Sequence, residues 1–474
     1  MGFSQPLSGL AAQSKNLDVI SNNIANSQTV GFKGGSALFA DVFAGANSQV
    51  GLGVRVSDIR QDFNSGDVES TGRGLDLAIT GDGFFRLEQP SGEAVFSRNG
   101  QFTQDSEGFI VNATGQKLTG FGLSDPNDPL SPIAAGGEPK ALQVPRGDVP
   151  AQATGEVNGV YNLNAAVTVG NDLQSATVKD AAGGNDQELK YHYSSSFTVF
   201  DSLGNDHVAT QYFRKSSDDL NTWDVHTALD GVIKDYNAGG SLTDDGAPDN
   251  SSTTGNYGET YFQVSFDNDG TLSDDGVKTL KFNDTDPGSG IPSIFDGPDK
   301  TGATFGTQGD SAKLEFVSSD YGFGGAADLS FDFNLAGTTQ FNKSSVQTSL
   351  SQDGFTSGSL AGIEVVEDGT VQRNYTNGET RAAGQIALGS FVNTEGLQPD
   401  GDNNFRATRA SGPAAIGTPG TGLLGGVEAG AVENSNVDLA TELVDTIVAQ
   451  RAYQANSTSI STQDELLQTV IQLG

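Results

Sequence analysis

Apolar residues recur at helical spacing only near the two ends of the chain. Residues 10–30 contain neither glycine nor proline, and their apolar positions favour one face of a helix. Residues 431–473 also lack both residue types, and we predict a helix over about residues 437–473. Ser435 and Asp438 match an N-terminal capping pattern for that helix. The two apolar stripes consist of Leu7, Leu10, Leu17, Ile20, Ile24, Leu439, Leu443, Ile447, Tyr453, Ile460, Leu467 and Ile471.

Between the ends, short apolar runs alternate with turn residues. Residues 74–121 contain Gly-Asp-Gly, Asn-Gly, Ser-Glu-Gly and Thr-Gly turns, which are typical of antiparallel hairpins. Residues 191–215 predict another hairpin around an Asp-Ser-Leu-Gly-Asn turn. A proline-rich stretch at residues 124–132 indicates a domain exit. The pattern therefore predicts a mainly β protein with terminal α-helices.

The simplest arrangement of these segments is a set of nested, discontinuous domains. We predict two antiparallel β domains and a pair of terminal helices. The inserted β domain comprises residues 146–340, which hold 30 acidic and 10 basic side chains. The other predicted domains are an inner β domain of residues 71–145 and 341–425, connecting segments of residues 31–70 and 426–435, and a helical domain of residues 1–30 and 436–474.

The charge of the chain narrows its possible partners. With 60 acidic against 25 basic residues the net charge is −35, so nucleic acid is a poor partner and an anionic membrane surface repels the chain.

The chain has no cysteine, which excludes disulfides and thiolate metal sites. We expect neither a membrane span nor a cleaved signal peptide, because no apolar run is long enough and no basic residue precedes Lys15.

The best metal candidate is the acidic stretch SFDNDGTLSDDG, residues 265–276. Positions 1, 3, 5 and 6 of a calcium loop of the EF-hand type are matched by Ser265, Asp267, Asp269 and Gly270. Position 12 is Gly276 instead of a bidentate glutamate, and no helical pattern flanks the stretch. We favour a hairpin turn over a calcium site and predict no cofactor. Residues 242–250 are interpreted as a solvated loop first and as a weak cation site second.

Catalytic motifs are not evident in the sequence. His192, His207 and His226 lie on predicted strands, and solvent-facing strand histidines are the default interpretation. The glycine clusters GDGF and GTPGTGLLGG lack the GK[ST] ending of a phosphate loop. A single tryptophan, Trp223, is more typical of a core than of a glycan-binding platform. We predict that the protein is not an enzyme.

Four stretches resemble the rod and hook axial proteins of the bacterial flagellum. In chain order they are NNIANSQTVGFK (residues 22–33), TGRGLDLAITGDGFFRL (71–87), FTVFDSLGNDH (197–207) and NSNVDLATELVDTIVAQRAYQANS (434–457). The resemblance covers both ends well and residues 146–340 only in patches. Rod members share both ends but usually lack so large an inserted block, so the hook members fit better.

The resemblance implies a structural subunit of the flagellar hook, a curved, self-assembling tube that acts as a universal joint and transmits motor torque to the filament. In that family the terminal helices form a coiled-coil-like core of the tube, so the two apolar stripes become subunit interfaces. The implied partners are further copies of the chain, the flagellar rod, hook cap and hook–filament junction proteins, and the type III export apparatus. The implied location is extracellular, in the flagellum, without signal cleavage or membrane insertion.

The resemblance also explains why the first helix ends abruptly. The chain must leave the helical core and travel outward, and the residues that make this reversal are Asn26, Gly31, Phe32 and Lys33. Two alternatives stay open: a distal-rod subunit of the same flagellum, and, from a different class, a secreted β-rich adhesin or glycan-active protein.

Overall fold

A computed structural model of the chain describes residues 4–42, 51–125, 128, 130–134, 136–180, 186–216, 221–233, 261–282, 303–307 and 310–473. The chain forms two compact units. The first comprises residues 1–147 and 360–474, and the second comprises residues 148–359. As predicted, the fold is mainly β, with α-helices at the two ends.

The described residues contain the helices α1 (Ser4–Ala25), α2 (Ser318–Tyr321) and α3 (Leu439–Leu473). α1 begins earlier than its pattern predicts and includes Pro6 and Gly9. Proline is tolerated there because the first turn of a helix has no partner for its backbone N–H. Among the described residues, no helix is both long and apolar enough to cross a membrane.

α3 begins two residues later than predicted, and its cap is a different side chain. The Asp438 carboxylate accepts hydrogen bonds from the Ala440 backbone N–H at 2.8 Å and the Thr441 hydroxyl at 2.9 Å. These bonds satisfy free donors of the first turn and lower the pKa of Asp438. Ser435 accepts from the Val437 backbone N–H at 3.3 Å, two residues before α3 begins, so it precedes the cap.

The strands follow the predicted succession of short elements. The first unit begins with β1 (Gly35–Val42), β2 (Gly53–Gln61), β3 (Val68–Ser70), β4 (Leu77–Thr80), β5 (Phe84–Glu88), β6 (Ala94–Ser97), β7 (Phe102–Gln104), β8 (Ile110–Asn112), β9 (Lys117–Gly122) and β10 (Lys140–Ala141). The second unit contains β11 (Glu156–Asn164), β12 (Gln174–Asp180), β13 (Asp186–Tyr191), β14 (Tyr193–Phe200), β15 (Asp206–Lys215), β16 (Thr222–Leu229), β17 (Val232–Ile233), β18 (Tyr261–Phe266), β19 (Leu272–Phe282), β20 (Ala303–Thr307), β21 (Ser311–Phe316), β22 (Leu329–Asn334), β23 (Thr339–Phe341) and β24 (Val346–Gln352). The first unit resumes with β25 (Leu360–Val365), β26 (Thr370–Tyr375), β27 (Thr380–Ile386), β28 (Leu388–Ser390), β29 (Gln398–Gly401), β30 (Asn404–Arg406), β31 (Ala415–Gly417), β32 (Gly426–Ala429) and β33 (Ala431–Glu433).

An antiparallel sheet forms the body of the first unit. Its main path runs β25-β26-β27-β9-β5-β6-β30-β29. The last strands of the chain return to the first ones, because β32 pairs with β4 and β33 pairs with β3, both antiparallel. The core consists of buried apolar residues from both chain segments, among them Leu77, Phe85, Phe102, Leu118, Ile386 and Leu388. Residues 360–474 therefore complete a fold that residues 1–147 begin.

Two sheets share one core in the second unit. The nine-stranded sheet carries β14 to β16 and β18, and the five-stranded sheet is built around β11. Trp223 lies between them with no exposed surface, and its Nε1 donates to Gln340 Oε1 at 2.7 Å, so the core prediction is confirmed. Most pairs are antiparallel, but β11 pairs in parallel with β22 and β23, and β12 pairs in parallel with β17.

The second unit extends past residue 340, where we placed the end of the inserted domain. β24 pairs antiparallel with β11, and Val160 lies opposite Ser349. Residue 340 itself lies inside β23, which also pairs with β11. The unit therefore ends only at Ser359.

The acidic stretch at residues 265–276 forms the hairpin between β18 and β19. The Gly270 backbone N–H donates to the Asp267 carbonyl at 2.9 Å, and the Asp269 carboxylate accepts from the Thr271 hydroxyl and backbone N–H. Within the part of the chain that the structure describes, no group of three or more His, Asp or Glu side chains could hold a metal ion. Residues 242–250 lie outside the described residues.

The expectation that the three histidines face solvent is wrong. His226 is buried on β16, and His192 lies between β13 and β14, where burial lowers its pKa. His207 has a mostly buried ring that lies 2.6 Å from the Asp230 carboxylate and 3.4 Å from that of Asp201. These rings belong to the packing of the second unit, because each has an aromatic neighbour: Trp223 for His192, Phe323 for His207 and Tyr261 for His226.

Candidate functional site

The site consists of the places where the chain leaves α1 and enters α3, residues 26–35 and 431–438, which we call the terminal junction. α1 ends where the Asn26 side chain donates to the Asn22 carbonyl at 2.9 Å. The Phe32 backbone N–H closes the following turn on the Thr29 carbonyl at 3.2 Å. Gly31 is buried with φ +71°, and its N–H donates to the Glu433 carbonyl at 2.7 Å. The reversal is thus tied to the strand that precedes α3.

We expect Gly31→Ala to lower the free energy of unfolding by about 2 kcal/mol or more. The left-handed φ disfavours any side chain, and a Cβ would lie 2.5 Å from the backbone nitrogen of Asn99. Gly35→Ala is the matched control, since a Cβ there meets the side chains of Ile59 and Val19 at an ordinary 3.6 Å. Urea unfolding of both variants measures the difference, and equal midpoints would contradict the expectation.

A buried cluster of three charges lies directly beneath the reversal. Lys33 Nζ is 2.6 Å from Glu433 Oε1, and Arg98 Nη1 is 3.1 Å from Glu433 Oε2. All three side chains are at most 2% exposed. The cations have further acceptors, since Lys33 Nζ donates to the Asn64 carbonyl at 2.7 Å and Arg98 Nη2 donates to the Gly81 carbonyl at 2.9 Å. We call Lys33, Arg98 and Glu433 the ion cluster.

The charges of the ion cluster depend on one another. Burial lowers the pKa of Lys33, and the charge and hydrogen bond of Glu433 oppose that effect, while Arg98 adds to the lowering. An unpaired charge in such a place is costly, and removing one partner of a buried pair typically destabilises a protein by about 3–5 kcal/mol. Glu433 carries the only anionic side chain paired with the two cations among the described residues. Its loss would therefore leave two adjacent buried positive charges.

α1 and α3 pack against each other in antiparallel directions. The Asn23 side chain donates to Glu442 Oε1 at 2.9 Å, and a Cβ on Gly9 would lie 2.8 Å from the amide of Asn456. The same Asn23 donates to the Gly35 carbonyl and accepts from the Gly35 N–H, which joins the helix contact to the terminal junction. Burial raises the pKa of Glu442, and the Asn23 bond partly offsets this.

The more buried side of α3 is made mainly of small and polar side chains, and Ile460 is its large apolar member. Ala449 is buried, and the partly buried positions at helical spacing from it are Glu442, Thr446, Ala452, Asn456, Ile460 and Gln463. Small side chains let two helix backbones approach closely, as Gly9 does on α1. The contact between the helices within one chain therefore uses few of the large apolar residues of α3.

The apolar residues that we predicted as interface positions separate into two groups. Ile20 is buried, and Leu10, Leu17, Ile24 and Ile460 are partly buried. The exposed members are Leu7, Leu439, Leu443, Ile447, Tyr453, Leu467 and Ile471. Val444, Val448 and Leu466 are exposed as well and were missed by the sequence pattern. α3 thus presents large apolar side chains that nothing described within the chain covers.

The length of α3 explains part of this exposure. Its 35 residues span about 52 Å, whereas the 22 residues of α1 span about 33 Å. Since Gly9 already meets Asn456, the last turns of α3 extend past the described start of α1. Leu467 is 46% exposed and Ile471 is 77% exposed on this overhang.

Sequence reasoning found Lys33 but missed its partners. Glu433 ends the apolar strand Ala431–Glu433, and Arg98 lies in a Ser-Arg-Asn-Gly turn, where a charged residue usually faces solvent. Asn436 was missed too, although it accepts from the Gly34 N–H at 2.9 Å and donates to the Asp62 carbonyl at 2.8 Å. A charged residue directly following buried strand residues is the one local signal that Glu433 offers.

Sequence-family profiles match the chain in four places. Their descriptions are Flagella basal body rod protein (residues 7–33), Flagellar hook protein FlgE/F/G D1 domain (78–181), Flagellar basal body protein FlaE D2 domain (162–355) and Flagellar basal body rod FlgEFG protein C-terminal (428–473). The first of these matches includes residues 26–33 of the terminal junction, and the last includes residues 431–438.

Known proteins match over the whole length. The chain is 39% identical to the flagellar hook protein FlgE of Escherichia coli (strain K12), with 100% of both chains covered. It is 31% identical to the flagellar hook protein FlgE of Borreliella burgdorferi, with 98% of each chain covered. Among solved structures, the flagellar hook protein FlgE2 of Helicobacter pylori aligns with a TM-score of 0.46 at 13% identity, over 76% of this chain and 99% of that chain. The full-length identities show that the chain belongs to the family of bacterial flagellar hook proteins.

Proposed function

We propose that this structural subunit of the flagellar hook assembles through the exposed apolar side chains of its two terminal helices. The observation that carries the proposal is the division of α3 into a small and polar side toward α1 and uncovered apolar positions elsewhere. A large exposed apolar patch on a folded protein marks an interaction site. The partner is a further copy of the chain, and the product is a curved tube that transmits torque as a universal joint.

The energetics favour assembly over a free subunit. Full burial of a leucine or isoleucine side chain contributes about 1.5–3 kcal/mol. Among its described side chains, α3 carries eight exposed Leu, Ile or Val residues, namely Leu439, Leu443, Val444, Ile447, Val448, Leu466, Leu467 and Ile471. Packing several of them between subunits offsets the entropy lost on association. The partly buried and exposed positions of the predicted interface on the two helices would then form a coiled-coil-like core.

The finer parts of the proposal concern partners and location. The subunit contacts the flagellar rod at one end of the tube, the hook cap during growth, and the hook–filament junction proteins at the other end. It reaches the outside of the cell through the type III export apparatus, without a cleaved signal peptide, and it has no enzymatic activity. The full-length relatives are hook proteins, which does not favour a distal-rod subunit, an adhesin or a glycan-active protein.

Electron microscopy of the concentrated, purified protein tests the proposal, and salt sharpens the test. We expect tubes whose yield rises with sodium chloride up to a few tenths molar. Residues 146–340 carry a net charge of −20, and repulsion between neighbours reaches about 30 Å at 0.01 M salt but only about 8 Å at 0.15 M. Sucrose at equal osmolality is the control, because it is excluded from the protein surface but does not screen charge. Absence of tubes in all conditions refutes the proposal, and a yield that falls steadily with salt would indicate oppositely charged interfaces instead.

A further inference from the structure

Glu433 connects three segments of the chain that are far apart in sequence. Its carboxylate accepts from Lys33 Nζ, from the Gly66 backbone N–H at 2.8 Å and from Arg98 Nη1. Its own carbonyl accepts from the Gly31 N–H. Four donors from the reversal, from the loop before β3 and from the turn after β6 therefore end on one residue.

Each of these donors is buried or partly buried, so none can replace Glu433 by water without a change in structure. Lys33 and Arg98 are enclosed together, and they repel each other when the anion is absent. The Gly31 N–H lies in a buried turn with a left-handed backbone. The backbone of Asn99 packs so closely against this turn that not even a Cβ would fit at Gly31. The closed reversal therefore makes its buried ion pair and the Gly31 hydrogen bond with a residue of β33.

The coupling also acts in the opposite direction. After Glu433 the chain is held at Asn436 by Gly34 and Asp62, and at Asp438 by the first turn of α3. Of these contacts, Gly34 lies in the reversal and Asp62 lies beside it, since the Asp62 N–H donates to the Gly34 carbonyl at 2.8 Å. The segment that leads into α3 is therefore hydrogen-bonded to the reversal at Gly34.

We propose that Glu433 is a positioning residue for assembly, through which the N-terminal reversal and the start of α3 become ordered together or not at all. A chain in which either end is missing or still unfolded then presents neither terminal helix in the geometry that neighbouring subunits need. The inference rests on the proposed function, because it names the device that prepares those helices. Glu433 acts through the position of those helices and not by contact with a neighbouring subunit.

Hydrogen exchange on the soluble full-length subunit tests the coupling. We expect Glu433→Gln to accelerate exchange in residues 29–35 by about tenfold or more, because the variant keeps the shape of the side chain but removes the charge that two cations require. Trypsin should then cleave after Lys33, which is enclosed in the native protein. Glu428→Gln is the matched control, since Glu428 lies exposed on the neighbouring strand β32. Equal protection of residues 29–35 in both variants overturns the inference.

A second variant changes the N-terminal side of the ion cluster and measures the effect on the C-terminal side. It also covers the case in which Glu433→Gln does not fold. Lys33→Met keeps an unbranched side chain and removes one charge. We expect it to accelerate exchange in residues 433–442 by about tenfold, although these residues follow Lys33 by 400 positions. Acceleration confined to residues 29–35 would show a local packing role and overturn the inference. Both readings are made on the monomer, so a failure of the wild-type protein to form tubes refutes the proposed function separately.

Discussion

Leu467→Asp is expected to abolish tube formation while the thermal melting of the β units stays almost unchanged. Leu467 is 46% exposed on the part of α3 that extends past α1, so its replacement lowers the stability of the folded monomer only slightly. In the proposed tube we expect the same position to be buried between helices of neighbouring subunits. Loss of the leucine and burial of an unpaired carboxylate together cost about 4 kcal/mol or more per contact, which raises the critical concentration about a thousandfold.

Two controls separate the position from the charge. Leu467→Met keeps an apolar side chain and should polymerise as the wild type does. Ser106→Asp adds the same charge to an exposed turn of the first unit and should also polymerise. Sedimentation and electron microscopy give the polymer yield, and calorimetry gives the melting temperature. Tubes from Leu467→Asp at wild-type concentration would exclude this part of α3 from the subunit interface.

The terminal helices and the hairpins between them were predictable because their signals are local. Residues 10–30 and 431–473 lack helix breakers, and both lie largely within the helices that the structure contains. The hairpin turn at residues 267–271 was predictable because an Asn-Asp-Gly sequence interrupts two alternating strands. In each case the pattern and its cause lie within a few residues of each other.

The sides of the helices were harder to assign. An apolar stripe usually marks the side of a helix that packs within its own fold. In α3 the side that meets α1 contains Glu442, Ala449 and Asn456, and Leu443 and Ile447 are exposed. A single sequence does not distinguish burial within a chain from burial between chains, because the transfer of apolar surface from water is equally favourable in both.

The ion cluster was not predictable for a different reason. Lys33, Arg98 and Glu433 come from distant parts of the chain, and no spacing rule relates them. Their pairing is a consequence of β33 lying beside β3 and of the turn after β6 lying under the reversal. The boundary at Ser359 escaped prediction similarly, because the partner of β24 is β11, at the opposite end of the inserted segment.

Excision of residues 148–359 is expected to leave a chain that still folds and polymerises. The first unit has its own core, and it contains both terminal helices and the terminal junction. The ends of the excised segment lie side by side, because the Val149 N–H donates to the Gly358 carbonyl at 2.9 Å and the Gly358 N–H donates to the Val149 carbonyl at 3.1 Å. Paired strands are about 5 Å apart, so a linker of about two residues can join Gly147 to Leu360 without strain.

The tubes formed by the shortened chain should lose defined curvature. We expect that subunits joined only through their first units lack a second contact that holds neighbouring subunits at a preferred angle. Circular dichroism establishes that the shortened chain is folded, and electron microscopy compares the curvature of its tubes with that of the full-length protein. The matched control also lacks residues 466–473, which removes the overhang of α3, and it should not polymerise. A shortened chain that is folded but forms no tubes at high concentration would mean that the second unit is needed for assembly itself.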